Sequence, residues 1–136
     1  MAYCNQSDIE AEIQPSDLIG LTDDSNTGFI NTTILDSIIA NASSYIDGKI
    51  GNIYATPVSP IPAIVKDCCI RIACYRLYRR RLAPGEKNNF DNDFKDAMTT
   101  LNMINNGEYH LDLDPKRAFP QGAVVREPMS VNASSL

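Results

Sequence analysis

The chain has 136 residues, 43% of them apolar and none of them tryptophan, and a formal charge of −5. That length is one domain, and a domain that buries roughly two-thirds of its unfolded surface folds without disulfides or a metal. The acidic balance argues against a general nucleic-acid binder, and no apolar run approaches the roughly 18 residues of a membrane span.

The charge is unevenly spread. Residues 1–61 hold eight acids against one cation, Lys49. Residues 62–82 hold Lys66, Arg71, Arg76, Arg79, Arg80 and Arg81 against Asp67 alone. Acidic and basic faces of this kind suit different neighbours, or opposite faces of copies of one chain. The N-terminus lacks the basic start and apolar run of a secretory signal. A soluble product made in the cytoplasm is the expectation.

The first expected element is short. Ser7 with Glu10 three residues later reads as a capping box opening a helix over 7–13. Pro15 stops it and opens a second short helix carrying Leu18, Ile19 and Leu21. The polar run 22–28 is a loop. Within it Asp23, Ser25 and Thr27 occupy the first oxygen positions of an EF-hand-like turn, with Gly28 at the sharp bend. The glutamate that such a loop needs twelfth is replaced by Ile34, so the turn reads as a lead into the next helix, with weak cation binding as the minor alternative.

Asn31 or Thr32 caps a long helix. Its apolar residues Ile34, Leu35, Ile38, Ile39, Ala42, Tyr45, Ile46 and Ile50 recur in steps of one, three and four, a wide stripe on a 3.6-residue period. Pro57, Pro60 and Pro62 then impose an extended connector. A third helical segment begins at Pro62, carries Ile64, Val65, Cys68, Cys69, Ile72 and Ala73 along one face, and runs to Pro84-Gly85. A fourth spans about 89–106 with Phe90, Phe94, Ala97, Met98, Leu101 and Ile104 on one face, and Gly107 suits its C-terminal cap. Tyr109, Leu111 and Leu113 alternate with polar residues as a short extended segment would. The fold class is therefore all-α: three longer helices in a small bundle, short N-terminal helices, a helical domain over 1–113, and an extended or disordered arm over 114–136.

Catalytic chemistry is hard to place on these residues. His110 is the one histidine and has no evident nucleophile or orienting acid beside it. Phosphate loops, GxSxG and HExxH are missing. Cys4, Cys68, Cys69 and Cys74 form no CxxC pair; they read as free buried thiols of a reducing compartment, with Cys74 at the edge of its face and Cys4 too remote in sequence to join the others. No catalytic residue, metal or cofactor is expected. The strongest polar feature is Arg76, Arg79, Arg80 and Arg81 with Tyr75 and Tyr78 interleaved. A solvated helix end is the plain reading of such a run. A subunit or partner interface through Tyr78 and the four arginines is the sharper one.

Several short blocks succeed one another in a recognisable order: Asp17-Leu18-Ile19-Gly20-Leu21-Thr22-Asp23, then Ala42-Ser43-Ser44-Tyr45-Ile46-Asp47-Gly48, then Tyr54-Ala55-Thr56-Pro57. Ile72-Ala73-Cys74-Tyr75-Arg76-Leu77-Tyr78 follows, and Leu101-Asn102-Met103-Ile104-Asn105-Asn106-Gly107 closes the set. Over roughly 1–113 this succession resembles the Mu-like phage and prophage family of small virion proteins, a domain of unknown function similar to the head-completion adaptors of long-tailed phages. The resemblance implies a head–tail connector that docks beneath the portal protein, meets a tail-completion protein, and assembles with copies of itself as a ring, usually of twelve. DNA would touch it only in passing through the channel. A small helical DNA-binding or regulatory protein of a prophage is the alternative, and an enzyme is not expected.

Overall fold

The structure is a computed structural model, and it describes residues 2–111, 113 and 115. Five helices follow in order: α1 (Gln6–Glu10), α2 (Pro15–Thr22), α3 (Thr32–Ile50), α4 (Ala63–Arg79) and α5 (Asp91–Asn105). No strand occurs among the described residues, so Tyr109 and Leu111 follow α5 as irregular chain. The expected arm over 114–136 lies, apart from residue 115, outside the described residues.

The centres of the apolar stripes meet as their spacing predicts, while Tyr45, counted with the α3 stripe, is 37% exposed. On α3, Leu35, Ile39, Ala42, Ile46 and Ile50 are buried, and on α5 Ala97, Leu101 and Ile104. Both helices pack on α4, which also touches α1 and α2. Because α4 is covered from several directions, its buried set extends beyond one stripe, through Cys74 to Leu77. Cys74 is thus fully buried and not at an edge.

The helix starts are set by side-chain oxygens. The capping box of α1 lies two residues earlier than expected: Asn5 Oδ1 accepts from the Asp8 N–H and Asp8 Oδ2 from the Asn5 N–H, both at 3.0 Å. Asn and Ser cap about equally well, so local chemistry does not choose between them; tertiary burial of Tyr3, Cys4 and Ile9 does. Asn31 caps α3 through the Ile34 N–H. Its own N–H donates to Thr22 Oγ1, whose hydroxyl donates to the Leu18 carbonyl, so one buried threonine joins α2 to the entry of α3. Buried Asn88 places α5, with its amide on the Tyr75 carbonyl and its oxygen on the Phe90 N–H. Gly107 ends α5 at φ 81°, a left-handed conformation that costs glycine no Cβ clash.

Two tyrosines fasten the irregular segments. Tyr3 lies 2% exposed, and its hydroxyl donates to Asp47 Oδ1 on α3 and accepts from the Val58 N–H at 3.0 Å. Tyr54 Oη accepts from the Leu111 N–H at 2.8 Å. The connector thereby holds the N-terminal residues on one side and the chain after α5 on the other.

Candidate functional site

The α4 helix ends at Arg79, earlier than Pro84, because Arg80 and Arg81 turn away to a second element. Their N–H groups bond back three residues, to the carbonyls of Leu77 and Tyr78, which tightens the last turn. Arg80 Nη2 then pairs with Asp24 Oδ2 at 2.7 Å, and Arg81 Nη2 takes the other oxygen of the same carboxylate. Arg80 also donates to the Leu21 carbonyl, and Arg81 Nε to the Gly20 carbonyl at 3.1 Å. Two arginines therefore clamp the C-terminal end of α2, where carbonyls lack helical partners and cations are favoured. The guanidinium of Arg80, then that of Arg81, holds Asp24 below the usual carboxylate range.

The turn that resembles an EF-hand is stabilised from within. Asp23 Oδ1 accepts from the Thr27 N–H at 2.8 Å and from the Thr27 hydroxyl at 2.9 Å, while Oδ2 accepts from the Gly28 N–H at 2.7 Å. These amide donors, Thr27 first, lower the Asp23 carboxyl. Thr27 points its hydroxyl at Asp23. Ser25 is exposed on the loop. Gly28 closes the turn at φ 84°. Among the described residues no group of three His, Cys, Asp or Glu side chains converges as a metal site would need. His110 Nε2 lies 2.9 Å from the Gly107 carbonyl.

The remaining two arginines behave differently. Arg76 and Arg79 have no carboxylate partner among the described residues. Their guanidinium carbons stand 5.9 Å from the Tyr45 ring centroid and 5.8 Å from that of Tyr75, respectively. Cation–π contact at that range positions the side chains without neutralising them. Tyr75 is itself stacked on Phe94 at 4.1 Å, which fixes the platform under Arg79. Both arginines border a groove of about 480 Å³ between α4 and the first half of α3. Its other wall is Thr33, Ile34, Ser37, Ile38 and Asn41, and Arg80 closes one end. Ile34 and Ile38 are only half-buried, so the groove has an apolar floor under a cationic rim.

The predicted residues thus divide into two groups. Asp23, Ser25 and Thr27 belong to a capped turn, and Arg80 and Arg81 anchor that turn through Asp24. Arg76 and Arg79 face the groove. Tyr78 packs on Phe90 at 5.4 Å, outside the groove lining, and burial raises its phenol. The α3 wall escaped the sequence reading because Thr33, Ser37 and Asn41 look like any solvated helix face until α4 lies beside them.

A family model described as Bacteriophage Mu, Gp36 matches residues 3–126. The chain belongs to this family. No curated protein matches it. Membership of the Mu Gp36 family makes it a phage protein, in agreement with the succession of sequence blocks, and the family match continues beyond 113, where those blocks stop. In this Gp36-family chain no helix among the described residues is long and apolar enough to cross a membrane.

Proposed function

We propose that this chain is a head–tail connector of a tailed phage, an adaptor carried in the virion that docks beneath the portal, assembles as a ring, and acts by assembly and not by turnover. The observation that carries the reading is the pair Arg76 and Arg79. Lys66, Arg71, Arg80 and Arg81 all have carboxylate partners within the chain. The other two α4 cations are held on aromatic rings at the rim of a groove with an apolar floor. A pair of positioned guanidiniums without a carboxylate partner among the described residues recognises carboxylates well, because the planar fork is pre-organised. The matching occupant is a segment that alternates acids with apolar side chains, on the portal, the tail-completion protein or a neighbouring copy. A ring needs such a heterologous contact, one face meeting a different face on the next subunit.

The test is the double variant Arg76→Glu, Arg79→Glu, introduced into the phage. Among the described residues neither makes an ion pair, so the purified variant should lose only the two cation–π contacts and the favourable charge at the end of α4, about 1–2 kcal/mol, and stay folded. It should fail to bind the matching portal, and the lysate should hold filled heads without tails. Tailed, infectious particles at the wild-type level would refute the reading. A gel shift on random duplex abolished by the same substitutions would favour the prophage DNA-binding alternative instead.

A further inference from the structure

We propose that Cys4 and Cys69 form a reversible disulfide that staples the N-terminal segment to the middle of α4. All four cysteines are free and buried, yet they are not equivalent. Cys4 Sγ lies 3.2 Å from Cys69 Sγ, although the residues are 65 apart in sequence. Ser43 Oγ stands 3.5 Å from the same Cys69 sulfur and 3.0 Å from the Tyr3 N–H. Ser43 gives its own hydroxyl proton to the Ile39 carbonyl at 3.0 Å, so Cys69 lies in a small polar nest inside an apolar core. The thiol of Cys4 donates to it, which raises Cys4 and lowers Cys69. Burial instead pushes Cys68 up to about 11 and Cys74 up to about 12.

Bond formation needs a small approach. A disulfide has a sulfur–sulfur distance of roughly 2.05 Å, so the pair must close by about 1.2 Å. Cys69 is fixed in the centre of α4. Cys4 precedes the first turn of α1, where a side-chain rotation meets no helical constraint. An oxidant also has a route to it. A pocket of about 440 Å³ is lined by Cys4 together with Tyr3, Asn5, Asp8, Ile61 and Lys66. The Lys66–Asp8 pair at 3.3 Å stands in its wall.

The co-reactant is a low-molecular-weight disulfide such as oxidised glutathione. The thiol pair gives one proton to solvent and passes the other to Cys69. Cys4 Sγ attacks one glutathione sulfur, breaks that disulfide, and expels a glutathione thiolate that takes up a proton. Cys69 then loses its proton, attacks Cys4 Sγ, and releases the second glutathione as thiolate, protonated in turn. Two protein thiols have lost two electrons and two protons, and one glutathione disulfide has become two glutathione thiols. The cross-link closes a long loop around α1, α2 and α3 and so restricts the unfolded chain more than the folded one. A chain carried in a virion, as proposed above, leaves a reducing cytoplasm at lysis and meets such an oxidant then. The thiol chemistry itself does not depend on the connector reading.

The test uses the reduced full-length chain, incubated folded with oxidised glutathione and then alkylated and digested. Peptide mapping should find Cys4 joined to Cys69, with Cys68→Ala removing ambiguity at the adjacent position, and free thiols should fall from four to two. The Tm should rise by roughly 10 °C and return on reduction. Cys4→Ser should show neither change; if it does not fold, the map of the unsubstituted chain decides alone. Four surviving thiols, a glutathione adduct on Cys4 that never resolves, or a cross-link through Cys68 or Cys74 would overturn the proposal.

Discussion

Replacing Tyr3 with phenylalanine isolates the fastening of the N-terminal segment. The ring is almost fully buried and phenylalanine fills the same space, so no cavity forms. What disappears is one hydroxyl that donates to Asp47 and accepts from the Val58 N–H. Val58 is 1% exposed, so its N–H has no solvent to turn to. An orphaned buried donor costs about 1–3 kcal/mol, and the half-buried Asp47 carboxylate loses a donor as well. Together these give a loss of about 2–3 kcal/mol, a large share of the roughly 5–15 kcal/mol that stabilises a domain. The Tm should fall by roughly 10 °C, and the urea midpoint should drop with the slope unchanged. The pH dependence is a second readout. Burial, and then the hydrogen bond to Asp47, push the Tyr3 phenol up from 10.0 to about 12. The folded chain therefore holds this proton more tightly than the unfolded chain. Its contribution is complete below pH 10 and is lost as pH rises through about 12. Cys68 and Cys74 titrate in both proteins, so the difference between wild type and Tyr3→Phe reports Tyr3. A variant within about 0.5 kcal/mol of wild type, with the same alkaline profile, would refute this account of the hydroxyl.

Asp24→Asn removes the charge that Arg80 and Arg81 share. Protease should then cut the loop between α2 and α3 faster, and an unchanged cleavage rate would count against the clamp. Because Asp24 is held below its ordinary carboxylate value of 3.8, its contribution is present above that pH and is lost as pH falls through the folded value. The variant should lack this part of the acid sensitivity in a circular-dichroism titration. Two glycines near the end of α3 should respond with opposite sign. A Cβ at Gly48 meets nothing within 4 Å, so Gly48→Ala should stabilise the helix by about 0.5–1 kcal/mol. A Cβ at Gly51 would stand 2.7 Å from the Asp47 carbonyl oxygen, so Gly51→Ala should lower the urea midpoint.

The three long helices were legible because their apolar residues repeat on the helical period over fifteen or more positions, a signal that no single turn residue can mask. Less survived at the ends. The α1 cap shifted because Asn5/Asp8 and Ser7/Glu10 offer the same local chemistry, and burial of Tyr3 and Cys4 chose between them. The end of α4 moved because Arg80 and Arg81 satisfy carbonyls 59 and 61 residues away, a contact with no sequence period. The arginine run was visible as a candidate site, but its division into two clamping and two groove-facing residues required Asp24 and Tyr45 in place. Cys4 beside Cys69 had no sequence signal. Proximity across 65 residues comes only from the fold.

That division decides which substitutions can report on the proposed docking. Helix α4 packs against the four other described helices, and its exposed residues outside the groove, Ala63, Lys66 and Asp67, lie toward its start. Reversing Arg80 or Arg81 would release Asp24 and the carbonyls of Gly20 and Leu21. The entry to α3 would then loosen, since Thr22 and Asn31 are joined immediately beside them. The α3 wall of the groove starts two residues after Asn31, at Thr33. A docking failure in such a variant would mix a lost contact with a displaced wall. Among the described residues Arg76 and Arg79 make cation–π contacts and no ion pair, so their reversal changes the charge of the rim while the wall stays where it is. A variant of those two that folds and still binds the portal would therefore remove the groove from the mechanism, a conclusion that the neighbouring arginines cannot deliver.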